Sequence, residues 1–199
     1  LWGYETTAYY APASRYGVPA DFQYLIDELH REGIGVILDW VPGWFPKNNE
    51  GLSDFDGTCL YEHLDPKKKN HPFRDVRLYN YGRNEVKNFL IAGALFWVEK
   101  YHADGIRMAS VDSMLYLDYG KGDGEWIPNM YGGNENLEAI EFIKHLNSMM
   151  KKRNPGVLMI AEEYSAWAGV TGSLKKDGLG FDYKWNTDWT KDYLEYIKY

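Results

Sequence analysis

The 199-residue sequence contains a single cysteine, Cys59. No internal disulfide can form, and such a chain suits a reducing, cytoplasmic setting. No apolar run approaches the roughly 18 residues needed to cross a bilayer, and no signal-peptide pattern is visible. Positive charge is also scarce. The formal net charge is −7, and the only basic clusters are Lys67-Lys68-Lys69 and Lys151-Lys152-Arg153. That balance argues against nucleic acid or an anionic membrane as partner. Cysteine and histidine nowhere fall at metal-ligand spacing, so neither a metal nor a cofactor is expected. No serine sits in a nucleophile elbow, and no glycine-rich phosphate turn follows an early strand. The sequence begins at Leu1, and its first residues read as the middle of a domain, so the expectation is a piece of a longer protein.

What the chain does have is aromatic. Phe, Trp and Tyr make up 17 % of it, with 17 Tyr and 8 Trp. Most such rings fill cores, but aromatic faces are also good platforms for the apolar faces of sugars. Hydrophobic content of 45 % is that of a globular chain long enough for one domain with a real core.

Residues 2–17 are turn-rich and read as a loop leaving a strand. Pro19 opens a helix, in which Phe22, Leu25, Ile26 and Leu29 form an apolar stripe and Gly33 marks the end. Ile34 to Val41 reads as a strand buried on both faces, because its apolar residues are consecutive. Asp39 stands at its C-terminal end. Residues 42–80 form a long irregular insertion, a length usually tied to function. Asn84 to Tyr101 is a second helix and leads into a strand around Arg107. A second irregular region covers 115–133, and Asn136 to Met150 is a third helix, inward through Leu137, Ile140, Ile143, Leu146 and Met150. Asn154-Pro155-Gly156 breaks it. Val157 to Ala161 is another buried strand, with Glu162 and Glu163 at its end. A glycine-rich loop then leads to 181–186 and a final amphipathic segment.

Strands alternating with helices predict a parallel α/β fold. An open doubly wound sheet is the competing architecture, but the polar residues at strand ends and the long βα loops fit a (β/α)8 TIM barrel better. Eight units need about 250 residues, so residues 1–199 are read as part of one catalytic barrel domain, incomplete at both ends. In a barrel Asp39, Arg107 and Glu162 converge on one face. An arginine in a buried strand requires a carboxylate or substrate to pair with it. Carboxylates around an aromatic-lined cleft suggest glycosyl transfer or hydrolysis.

Several motifs sharpen this. Trp2-Gly-Tyr4, Tyr10-Ala-Pro12, Val36-Ile-Leu-Asp-Trp-Val-Pro42, Tyr79-Asn-Tyr-Gly-Arg83, Gly124-Glu-Trp-Ile-Pro-Asn129, Gly132-Gly-Asn-Glu-Asn-Leu-Glu-Ala-Ile140 and Ala161-Glu-Glu163 resemble the central barrel of the 1,4-α-glucan branching enzymes, members of the α-amylase superfamily. The resemblance covers essentially the whole chain. It implies an α-1,4-glucan (glycogen- or amylose-like) partner, glycogen biosynthesis, and a retaining double displacement that cleaves an α-1,4 link and forms an α-1,6 branch. By motif, Glu162 matches the general acid/base, and Tyr4, Asp39 and Arg107 match residues lining the sugar subsite at the cleavage point. Glu163 is expected to be structural.

The chain departs from the family pattern where the nucleophilic aspartate belongs. That position, two residues after Arg107, is Ala109. Asp112 lies three residues on and is the candidate substitute. Trp44 stands where the family has histidine, and Tyr164-Ser165 where it continues Ser-Thr. The superfamily's third acidic residue would fall beyond this chain. Two readings stay open: a branching enzyme, and a non-catalytic α-glucan-binding relative. The branching-specific motifs oppose a third, an α-glucan hydrolase.

Overall fold

The structure, a computed structural model, describes residues 3–48 and 50–198. Trp2, part of the first motif, lies outside the described residues. Helix α1 spans Pro19–Arg31. The Asp21 carboxylate accepts the Val18 amide at 2.8 Å, satisfying a donor at the helix start. Past its end, Gly33 adopts φ 73° while the amides of Gly33 and Ile34 donate back to the carbonyls of His30 and Leu29. A left-handed residue closing a helix in this way is most often glycine.

Strand β1, Ile37–Trp40, is shorter than expected. The segment 42–80 is not wholly irregular. It holds strand β2 (Trp44–Pro46), a single turn α2 (Pro66–Lys69) and strand β3 (Val76–Leu78), and β2 and β3 form an antiparallel ribbon. Helix α3 covers Asn84–Tyr101 as its stripe predicts, burying Val86, Leu90, Ala94, Val98 and Tyr101. Strand β4 is Gly105–Met108, buried throughout. A short helix α4, Val111–Leu115, follows, then α5, Leu137–Arg153, capped by the Asn136 side chain. Strands β5 (Leu158–Ala161) and β6 (Tyr183–Lys184) and helix α6 (Thr187–Tyr196) complete the described chain.

The main sheet runs β1-β4-β5-β6, every pair parallel. Each new strand joins on the same side as the last, with no reversal. A doubly wound sheet reverses its order at a switch point, whereas barrel staves follow one another. Between the sheet and helices α3 and α5 lies the main core, including Leu90, Ile106, Met108, Phe142, Leu146 and Met159. At Gly105 a Cβ would lie 3.1 Å from the Leu158 carbonyl oxygen, so the close β4–β5 approach favours glycine.

Burial of β1 on both faces does not hold. Ile37 is 48 % exposed, and Ile34 and Leu25 are exposed as well. The reason is topological: β1 is the sheet edge among the described residues, and an apolar groove lined by Leu25, Leu38 and Trp97 runs beside it. The stripe on α1 is correspondingly half used, with Ile26 its only buried member. On α5 the inward set is shifted toward Ala139, Phe142, Ile143, Leu146, Asn147 and Met150, with Leu137 and Ile140 only partly covered. No described helix is long and apolar enough to cross a membrane.

Candidate active site at the strand ends

The parallel register sets Asp39 of β1 beside Arg107 of β4. Glu162 lies one residue past β5. Its amide donates to the Met108 carbonyl and its own carbonyl accepts from Val111, which fixes its backbone against the end of β4. The turn after β4 passes through Ser110 at φ 49°, a conformation that costs a non-glycine residue free energy. It aims the Ser110 amide at Glu162 Oε2, 3.2 Å away.

Arg107 joins the group. Its Nη1 lies 2.8 Å from Asp39 Oδ2 and donates to the Tyr4 hydroxyl at 3.1 Å, while Nη2 lies 2.9 Å from Glu162 Oε2. Tyr4 in turn donates to Asp39 Oδ2 at 2.6 Å. A guanidinium fork can serve two carboxylates at once. Burial alone would lower the Arg107 pKa, but the contacts with Tyr4, Asp39 and Glu162 outweigh it and hold it above its usual value. The hydrogen bond to Asp39 raises the Tyr4 phenol pKa, with burial adding to it.

Two members of the site had no signal in the motifs. The Trp185 ring, just after β6, lies 3.9 Å from the guanidinium carbon of Arg107, a cation–π contact. The Tyr164 hydroxyl donates to Glu162 Oε1, and burial followed by that bond pushes its pKa up to about 12. An aromatic run near a strand end could have suggested Trp185, but neither contact follows from spacing along the chain.

Glu163 is fully buried. It pairs with Lys184 Nζ at 2.5 Å and accepts from the amide and hydroxyl of Ser165. Glu162 contacts Arg107, the Ser110 amide and Tyr164 while Glu163 binds the strand end to β6, so the two adjacent carboxylates have different surroundings. Asp112 sits in the first turn of α4, 6 % exposed, with Oδ1 accepting the Ser113 amide at 2.9 Å. Burial raises its pKa, and the charges of Glu163 and Glu162 raise it further. Ala109 is buried in a small cluster with Val41, Trp44 and Val76.

Asp54, Cys59 and Glu62 bring ligand atoms within 4.8 Å of one another in the 42–80 segment. The Glu62 carboxylate is already engaged by the amides of Asp54 and Tyr61. The Arg107 cluster itself pairs carboxylates with a cation and a phenol, so it offers hydrogen bonds and charge to a neutral polyol.

No family model matches the chain. Curated relatives do. The chain is 57 % identical over 198 residues to the 1,4-alpha-glucan branching enzyme GlgB of Thermobifida fusca, covering all of this chain and 26 % of that protein. It is 57 % identical over 197 residues to the GlgB of Butyrivibrio fibrisolvens, covering 99 % and 31 %. Over 196 residues it is 58 % identical to the GlgB of Methylococcus capsulatus, covering 98 % and 26 %. The chain thus spans between a quarter and a third of the length of these relatives. Among solved structures, the noncanonic maltogenic alpha-amylase AmyB from Thermotoga neapolitana superposes with a TM-score of 0.67 at 16 % identity, over 98 % of this chain and 38 % of its own. An alpha-amylase from Lactobacillus plantarum gives 0.66 at 21 %, over 98 % and 42 %. These likenesses carry the fold, a stretch of (β/α)8 barrel. With identities above half along its whole length, the sequence is similar to a segment of the 1,4-alpha-glucan branching enzymes GlgB, and its fold is that of a stretch of (β/α)8 barrel.

Proposed function

We propose that the protein carrying this chain binds α-1,4-glucan at the Arg107 cluster and is built for branching: cleavage of an α-1,4 link and transfer of the glycosyl unit to a 6-hydroxyl. The observation that carries this reading is the single guanidinium joining Tyr4, Asp39 and Glu162 at the ends of three adjacent strands. In the reaction a proton must reach the leaving oxygen from Glu162. Its Oε2 accepts from two donors, Arg107 and the Ser110 amide, and Oε1 from Tyr164 alone, so on protonation the proton goes to Oε1 and the Tyr164 O–H turns away from it. Tyr4 and Asp39 hold hydroxyls of the sugar at the cleavage point, and Trp185 offers an exposed ring face beside it. A cytoplasmic setting fits the single cysteine.

The covalent half of the reaction lacks its nucleophile. A methyl group cannot form a glycosyl ester, and loss of a nucleophile costs on the order of 10⁴ to 10⁶ in rate. Buried in α4, Asp112 offers a sugar little access, so it is not the replacement. As written, the chain keeps glucan binding and transfers slowly. The test uses the full protein with amylose. Co-sedimentation with insoluble glucan is expected, with little change in iodine colour over hours. Glu162→Gln should keep sedimentation and abolish the residual colour change. Failure to sediment would refute the glucan reading, and fast branching would refute the role assigned to position 109.

A further inference from the structure

Trp44 and Ala109, two departures from the family pattern, lie far apart in sequence but share one buried cluster. Both are 2 % exposed, and with Val41 and Val76 they form a buried cluster separate from the main core, with Tyr4 and Leu78 packed against it. We infer that Trp44 is a plug: its indole covers residue 109 and closes that part of the cleft to the reacting carbon of a sugar. Positions 44 and 109 are therefore one coupled pair. The inference rests on the reading of the site as a glucan cleft.

The indole is anchored on several sides. Its Nε1 donates to the Tyr4 carbonyl at 3.2 Å. The Arg74 guanidinium carbon sits 4.7 Å from the ring centroid, and the His71 ring meets it edge-on at 5.6 Å. The backbone is held as well. Trp44 pairs with Leu78 in the β2–β3 ribbon, and the Tyr9 hydroxyl donates to the carbonyls of Val41 and Trp44. The Tyr81 hydroxyl donates to the Pro42 carbonyl at 2.7 Å. A ring fixed this way does not swing aside to admit substrate.

An aspartate at 109 would enter this apolar cluster two residues after Arg107. That guanidinium already serves Asp39 and Glu162. The new carboxylate would be desolvated and covered by the indole. Restoring the family residue at 109 alone is thus unproductive. Replacing Trp44 by histidine, the residue the family pattern has there, substitutes a smaller ring and adds a second ring nitrogen that can accept a hydrogen bond.

The plug is tested without catalysis by thiol labelling. In the full protein carrying Cys59→Ser and Ala109→Cys, the introduced thiol is reacted with iodoacetamide and followed by mass spectrometry. Labelling should be roughly 100-fold faster when Trp44→Ala is added, since access then no longer waits on local opening. Trp44→His replaces the alanine variant if that one unfolds. Val98→Ala, a main-core cavity, controls for general loosening and should change the rate only a few-fold. Equal labelling with and without Trp44 overturns the inference. On the iodine assay, Ala109→Asp and Trp44→His singly should leave transfer low, and the double variant should raise it by roughly 10³ or more. Full recovery by Ala109→Asp alone also overturns it. Amylose sedimentation of the same variants reports separately on the glucan reading, and the labelling rates stand whether or not glucan binds.

Discussion

Replacing Arg107 probes whether one side chain holds the site together. Its side chain is 7 % exposed and that of its partner Glu162 is 16 % exposed, so their contact is shielded. A charge-assisted bond of this kind contributes about 1.5–3 kcal/mol. The pair with Asp39 is different, because that carboxylate is 46 % exposed. Solvent screening discounts it to about 0–1 kcal/mol. The bond to the Tyr4 hydroxyl adds about 1 kcal/mol, and the stack on half-exposed Trp185 about 0.5–1 kcal/mol. Arg107→Ala removes all four and strands Glu162, for an expected loss of about 3–5 kcal/mol. In Arg107→Lys a single Nζ can reach Glu162 or Asp39 but not both, and it cannot lie flat on Trp185. That variant should lose about 1.5–3 kcal/mol, the sum of the contacts a point charge cannot make. Urea unfolding followed by tryptophan fluorescence measures both, with the slope against urea unchanged if only stability moves. Amylose sedimentation should be lost in both variants. A lysine variant within 0.5 kcal/mol of the parent that still sediments would show that Arg107 only fills space, and the account of the site would fall.

Asp112→Asn should stabilise the protein at pH 7, because burial raises the folded-state pKa of Asp112 above its ordinary value and ionisation there opposes folding. The gap should close as pH falls to about 4, where the unfolded carboxyl also protonates; a gap independent of pH would contradict this. His71 behaves in the opposite sense. Burial, aided by Arg74, lowers its pKa to about 4, and its Nδ1 accepts the Phe73 amide. Stability tied to neutral His71 is full above its ordinary value of 6.5 and is lost as pH falls toward 4, up to about 3 kcal/mol. His63, also lowered to about 4 by burial, adds to that slope. Melting curves from pH 7.5 to 4 should therefore show a shallower acid decline for His71→Gln, and an unchanged decline would refute the linkage. Lys184→Ala leaves the fully buried Glu163 without its cation and should cost about 2–4 kcal/mol in chemical unfolding. A loss below about 0.5 kcal/mol, the surface range, would place the pair at the surface energetically.

Much of this was legible in local sequence. Pro19 and Gly33 bracket α1, the stripe through Val86, Leu90 and Ala94 marks α3, and Asn136 caps α5, because helix signals are carried by near neighbours along the chain. Strand existence was also readable, and so were Asp39, Arg107 and Glu162 at strand ends, which the parallel register brings together. What stayed hidden depends on distant partners. Ile37 looks as buried as Met159 in composition, yet β1 is an edge and β5 is central. The β2–β3 ribbon hides in a segment dense in Pro, Gly and Asp, where turn chemistry masks two three-residue strands. The cluster shared by Trp44 and Ala109, the Trp185 stack and the Tyr164 bond join residues whose spacing carries no period, so only the folded backbone reveals them.

The Arg107 cluster also has a kinetic meaning. Tyr4 and Arg107 are 103 residues apart, Tyr4 and Asp39 are 35 apart, and Ser110 and Glu162 are 52 apart. Contacts this distant form only after long loops have closed, and closure entropy makes such pairings late and slow. A chain with α3 and α5 formed but β1 not yet docked lacks the Asp39–Arg107 pair and so has no complete cluster. A ligand of that cluster would discriminate between states of the whole chain rather than between positions of a loop. A ligand that binds only the finished sheet stabilises it by mass action, about 2.7 kcal/mol at 100 times its dissociation constant. On the proposed glucan reading, polysaccharide concentration would become a term in this protein's own folding equilibrium, whether or not any bond in the polymer is ever cut.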